Sequence, residues 1–163
     1  VREAPGRGEH VSDVELAKPF IKAAVDILGT MAMVQAKPGV PFAKKDNIAE
    51  GDVTGLVGLT GDRKGSISIS FGKACAVQIV KNMLGDAIDD ILSDVKDAVG
   101  EITNMVSGQA RVGLAERGIN LQSGTPSVIM GDGHVIKHVT TGTVVAIPFT
   151  TAAGAFTIEF CFE

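Results

Sequence analysis

From the amino end, Leu16, Phe20, Ala23, Ala24, Ile27, Leu28, Met31 and Val34 recur at the three- and four-residue spacing of a helix with one buried stripe. Ser12 with Glu15 has the form of a capping box, Pro19 comes early enough to belong to the first turns, and Lys37-Pro38-Gly39 stops the repeat. A first helix is therefore predicted from Ser12 to about residue 36. The period then changes to two. Short strands are predicted over residues 40–47, 52–59 and 65–71, the last two joined by the turn Thr60-Gly61-Asp62-Arg63-Lys64. Ser66-Ile67-Ser68-Ile69-Ser70-Phe71 alternates strictly, which predicts a sheet with one buried face and one wet face. A middle helix over 73–84 ends at Gly85, and a longer one over 88–116 ends at Gly118. Its core stripe is Ile91, Leu92, Val95, Val99, Ile102, Val106 and Gly113. Residues 119–130 follow as extended chain, then a loop at Gly131-Asp132-Gly133, then alternating segments over 143–149 and 155–162. Strands cluster between helices instead of alternating singly with them. The predicted class is therefore α+β, a two-layer fold with long helices packed on one face of an antiparallel sheet.

The chain also repeats itself. Under an offset of 74 residues, Lys22, Ala24, Val25, Met31, Gln35, Ala36 and Gly39 fall on identical residue types at Lys96, Ala98, Val99, Met105, Gln109, Ala110 and Gly113. An apolar hairpin follows each helix, so the pattern is that of duplicated helix-plus-hairpin units.

Composition narrows the classes of function. The 163 residues are 45% hydrophobic, enough for one core, so residues 12–163 are expected to form a single domain behind a flexible tail at 1–11. A net charge of −4 without any Lys/Arg run, and without Trp or Tyr, speaks against a nucleic-acid surface. No apolar stretch approaches the roughly 18–20 residues of a membrane span, and the amino end lacks a signal-peptide core; a cytoplasmic location is expected. Cys75 and Cys161 stand far apart and outside any C-x-x-C, as buried thiols in a reducing compartment would.

The candidate chemistry lies on the long helix. Glu101 and Asn104, three residues apart, present a carboxylate and a carboxamide from one helix face. About 100° per residue places both, with Gly108, on a flank away from the core stripe. Asn104, Gly100 and Gly108 all oppose local helix stability, the two glycines by about 1 kcal/mol each relative to alanine, and such breaches tend to mark function or close packing. The segment running from Asp97 to Ala110 resembles the E-x-x-N signature helix of the CheC/CheX/FliY chemotaxis phosphatases, and the CheX branch most closely. Under the duplication Glu101 and Asn104 correspond to Ile27 and Thr30, so only the second copy carries the pair. CheC-type members typically carry it in both copies, and FliY-type members add a domain for which this chain has no room.

The resemblance implies a phosphatase for phosphorylated CheY-type response regulators. Asn104 would hold water in line with the partner's aspartyl phosphate, since a carboxamide both donates and accepts, and Glu101 would pair with a lysine of the partner. Asp97, Ser107 and Gly108 would border the docked partner. The Mg²⁺ would belong to the response regulator, leaving this chain with no cofactor or metal of its own. A homodimer is also implied, and the apolar carboxyl-terminal strands would make hazardous exposed edges if left unpaired. The alternative is a non-catalytic docking module of the same fold that binds a response regulator or flagellar switch protein. Other motifs lead nowhere: His134 and His138 flank a glycine turn and read as surface residues, and Gly61-Asp62-Arg63-Lys64-Gly65-Ser66 precedes a strand, where a phosphate loop would need Gly-Lys-Ser/Thr opening a helix.

Overall fold

A computed structural model describes residues 13–138 and 142–163. The expected tail and the Ser12 cap lie outside the described residues.

Helix α1 (Asp13–Met31) is followed by strands β1 (Lys37–Pro38), β2 (Phe42–Lys44), β3 (Val53–Gly61) and β4 (Gly65–Phe71). Then come α2 (Lys73–Leu84), a single 3-10 turn, and α3 (Ile91–Ala115), followed by β5 (Leu121–Ser123), β6 (Ser127–Met130), β7 (Val144–Thr151) and β8 (Gly154–Phe162). The sheet is antiparallel, ordered β1-β7-β8-β4-β3-β5, with β2 also pairing β7 and β6 also pairing β3. This order exposes the duplication. The hairpins β3-β4 and β7-β8 meet at the β4–β8 seam, and each is flanked by an interrupted short strand from the other unit. The breaks fall at Gly39–Pro41 and Gly124–Pro126, where proline removes a ladder donor.

Ile67, Ile69 and Phe71 of β4 face the helices, and with Ile147, Ile158 and Phe160 they form a core sealed by Phe20, Leu28, Ile102 and Leu114. Phe20 stacks on Phe160 at 4.8 Å and Phe149 on Phe156 at 4.6 Å. Each such buried side chain contributes about 1.5–3 kcal/mol. Helices α1 and α3 pack together across this layer: Gly113 lets Pro19 approach, and Gln109 donates to Asp26 Oδ2 at 2.8 Å.

The opposite face of the sheet differs from expectation. Ser66, Ser68 and Ser70 are buried, not wet. The chain over 44–50 and 131–138 roofs them. Lys44 Nζ pairs with Glu159 Oε2 at 2.6 Å, both side chains being almost fully buried, and His138 joins Glu159 to Ser66 through its two ring nitrogens. His134 similarly meets Thr54 Oγ1 at 2.6 Å, and Thr54 meets Ser70. Both histidines thus hold the roof and are not the surface residues expected.

The carboxyl-terminal strands depart from expectation too. β7 and β8 are interior strands, covered by β1, β2 and β4, so the argument for a dimer from their exposure does not hold.

Candidate functional site

Helix α3 is set by its ends and its underside. Asp90 caps it by accepting from Leu92 N at 3.2 Å, while Asp94 reaches back to Asp89 N at 2.9 Å. It therefore begins three residues later than the expected 88, and Ile91 and Leu92 are exposed at 39% and 65% instead of belonging to the core stripe. Gly118, at φ 85°, ends it, with Ile119 N returning to Leu114 O at 2.9 Å. Val95, Val99, Ile102, Val106, Ala110 and Leu114 form the buried stripe, and Thr103 stands on the backbone of β3. There a Cβ on Gly55 would come within 1.9 Å of Thr103 Oγ1, so glycine is what allows helix and strand to approach this closely. Gly55 pairs with Val128 of β6, and a Cβ on Gly100 would meet Val128 Cγ2 at 3.4 Å.

These contacts turn the other flank of α3 outward. Glu101 and Asn104 are both exposed, and among the described residues neither head group takes part in a hydrogen bond or ion pair. With Asp97 they line an open depression of about 560 Å³, completed by Ser93, Lys96 and Gly100 of the helix and by Pro126 and Val128 beside it. Asp97, Glu101, Asn104 and Gly108 step along α3 at spacings of four, three and four residues, a continuous stripe. Gly108 is half-buried at the end of that stripe, outside the depression. Ser107 is not on the surface at all: it is 1% exposed, turned under the helix, and its Oγ has no hydrogen-bond partner. Pro126 and Val128 were missed by sequence reasoning. No local signal could have found them, since only the return of the chain antiparallel to β3 brings them beside Gly100.

Such a surface has two ways to act. A free carboxamide offers a donor and an acceptor to a water, and a free carboxylate one turn away offers a point of attachment to a cation. The concavity is shallow and open, suited to a protein surface more than to an enclosed small molecule. Among the described residues no group of three or more His, Cys, Asp and Glu stands together as metal ligands would, and no helix is long and apolar enough to cross a membrane.

Known proteins match this chain along most of its length. The profile of the family described as "Chemotaxis phosphatase CheX" matches residues 53–150. The crystal structure of the chemotaxis protein CheX from Desulfovibrio desulfuricans is 59% identical, with a TM-score of 0.87, over 91% of this chain and 99% of that one. The CheY-P phosphatase CheX of Thermotoga maritima is 23% identical over 139 residues, 85% of this chain and 88% of the relative. The CheX in a CheX-CheY-BeF3-Mg²⁺ complex from Borrelia burgdorferi shares the fold at a TM-score of 0.76 and 22% identity, over 91% of this chain and 97% of that one. With its α+β architecture, its duplicated units and a family profile matched from β3 to β7, the chain belongs to the CheX family of chemotaxis phosphatases.

Proposed function

We propose that this protein hydrolyses the aspartyl phosphate of a phosphorylated CheY-type response regulator and so shortens the lifetime of a chemotaxis signal. The observation that carries the reading is the free, exposed Glu101–Asn104 pair on a helix held rigid from beneath. Asn104 enters the partner's phosphorylation site and directs a water at phosphorus, a positioning role that needs no proton transfer to the amide. Glu101 pairs with a lysine of the response regulator, and Asp97 and Gly108 lie under its footprint. The Mg²⁺ comes with the response regulator, in keeping with the Borrelia relative, whose complex contains CheY and Mg²⁺. A hard cation of this kind takes carboxylates and phosphate oxygens as ligands.

Residues 12–163 act as one unit, a view supported by the single sheet to which both halves contribute strands. A cytoplasmic location fits two cysteines that stand far apart in the sequence and are both buried. A homodimer has a candidate surface at the β2 edge, where Val40, Phe42, Ile48 and Val135 are exposed apolar residues. Light scattering that returns a monomer mass at micromolar concentration would remove the dimer and leave the phosphatase reading intact.

Stopped-flow decay of a panel of phosphorylated CheY-like domains, run beside a binding titration, tests the function. Wild type should accelerate decay, and Asn104→Ala should abolish the acceleration while binding changes little. Full acceleration by Asn104→Ala would defeat the mechanism. Binding without acceleration by the wild type would make the protein a docking module.

A further inference from the structure

Seven residues beyond Asn104, Arg111 emerges from almost the same line of α3, since seven steps of about 100° come within about 20° of two full turns. Long side chains on a helix lean toward its amino end, and this one does: Arg111 Nη2 lies 3.8 Å from where a Cβ on residue 108 would stand. The guanidinium therefore sits beside Gly108, between its own Cα and the Asn104 turn.

Its hydrogen bonding is poor. Nη1 reaches Leu121 O only at 3.5 Å, and Nε is buried with no partner. None of the ion pairs among the described residues includes it. An arginine carries five donors and a permanent charge, and where the protein itself meets so few of them the solvent-facing donors are available to an incoming anion. The hydroxyl of Ser107, one turn away and 1% exposed, is unmet as well. Of these two underused polar groups Ser107 is turned beneath the helix, and Arg111 is the one that adjoins the end of the Asp97–Glu101–Asn104–Gly108 stripe.

Charge gives the unmet donors a direction. The stripe carries two carboxylates, while a phosphorylated receiver presents a phosphoryl group of nearly two negative charges and, around its Mg²⁺, carboxylates. On the carboxyl-terminal side of Asn104, Arg111 supplies the cation that such a surface requires. Gly108 leaves space beside the guanidinium: a Cβ there would meet Nη2 at 3.8 Å and, the chain neighbours and local helix backbone aside, no other atom within 4 Å.

We propose that Arg111 is a further partner-binding residue of this site, whose guanidinium takes a carboxylate on the rim of the receiver's phosphorylation pocket across the gap left by Gly108. It thereby sets the angle at which the receiver seats over Asn104. The inference rests on the phosphatase reading and adds the specificity of that surface for acidic rims.

The test is turnover of the phosphorylated receiver by wild type, Arg111→Met and Arg111→Lys between about 50 and about 500 mM salt, a range across which screening of exposed charges becomes nearly complete. Arg111→Met, which keeps the stem and removes the charge, should raise KM about tenfold with kcat within about twofold, and should flatten the salt dependence of kcat/KM. Arg111→Lys should recover most of the loss at low salt. A packing role alone would change melting temperature and leave the salt slope as it was. Should Arg111→Met fail to fold, the isosteric pair Gly108→Asp and Gly108→Asn reads the same charge from the neighbouring, half-buried position: the Asp variant should have the higher KM. A folded Arg111→Met with wild-type KM and salt slope would overturn the inference, as would a lower KM for Gly108→Asp than for Gly108→Asn. Loss of kcat at unchanged KM would overturn the docking role too, placing the guanidinium on the phosphoryl group instead. In all these cases wild-type acceleration continues; its absence would sink the functional reading and this inference together.

Discussion

Substitution at Gly108 would separate what the fold needs from what the proposed docking needs. A glycine in a helix interior costs about 1 kcal/mol relative to alanine, through the extra freedom it must give up on folding. Gly55, on the strand beneath, has a packing reason, since alanine there would drive a Cβ to 1.9 Å from Thr103 Oγ1, whereas at Gly100 a Cβ would only touch Val128 at 3.4 Å. Gly108 has none, since its added Cβ would meet only Arg111 Nη2, at an ordinary contact distance of 3.8 Å. Gly108→Ala should therefore stabilise the protein by about 1 kcal/mol, which for a chain of this size raises the melting temperature by about 2–4 °C. Gly55→Ala should do the opposite. If the receiver closes over residue 108, the added methyl overpacks that contact at a cost of about 1–3 kcal/mol, so kcat/KM should fall by about fivefold to about 150-fold. Thermal unfolding followed by circular dichroism and stopped-flow dephosphorylation measure the two effects on the same sample. A variant more stable than wild type and fully active would remove Gly108 from the docking surface. A variant that gains no stability would refute the account of the helix itself.

Three further outcomes are expected. Glu101→Lys should weaken binding of the phosphorylated receiver by like-charge contact while its circular dichroism and melting stay within about 0.5 kcal/mol of wild type, and normal binding would remove Glu101 from its role. Lys44→Met should cost about 3–5 kcal/mol in urea unfolding, because Glu159 would remain 1% exposed without its lysine; a loss under about 1 kcal/mol would show that the pair is not buried as described. Burial pushes the Cys75 thiol above its ordinary range, opposed by a hydrogen bond with Thr151, so at pH 8 it stays protonated and weakly nucleophilic. A thiol reagent should react slowly with Cys75 in the native protein and readily after denaturation, and rapid native labelling of Cys75 would contradict its burial.

Local signals carried what was legible. The limits of α2 and β4 coincide with the predicted ones because Gly85 at φ 57° and the turn at Gly61 are punctuation that needs no tertiary partner. Helix α1, by contrast, stops at Met31, five residues before the predicted end. Val34 N returns to Leu28 O at 3.0 Å around Met33, which takes the left-handed conformation at φ 54°. A search for glycine at such a stop passes over a methionine. The serine face of β4 shows a second limit: alternation of serine with isoleucine looks the same whether water or another side chain satisfies the hydroxyls. Lys44, His134 and His138 satisfy that layer from far along the chain, and Ser68 Oγ, buried among them, has no partner. The strand order was equally out of reach, since the exchange of short strands between the two units depends on pairings between distant segments.

The duplication explains where the candidate chemistry went. Under the offset of 74 residues, the flank of α1 that corresponds to the Glu101–Asn104 flank holds Asp26, Ile27 and Thr30. Its polar groups are engaged within the molecule: Asp26 takes Lys22 Nζ at 2.7 Å and Gln109 Nε2 at 2.8 Å, and the Thr30 hydroxyl donates to Asp26 O at 2.8 Å. Ile27 packs against the core edge. One copy thus spends its flank on internal bonds, including one that ties α1 to α3, while the other leaves a carboxylate and a carboxamide without internal partners. A helix fixed by its twin beside it and by the sheet beneath, and open above, can present two side chains with little entropy left to lose on docking, and that is the condition under which a single amide can place a water.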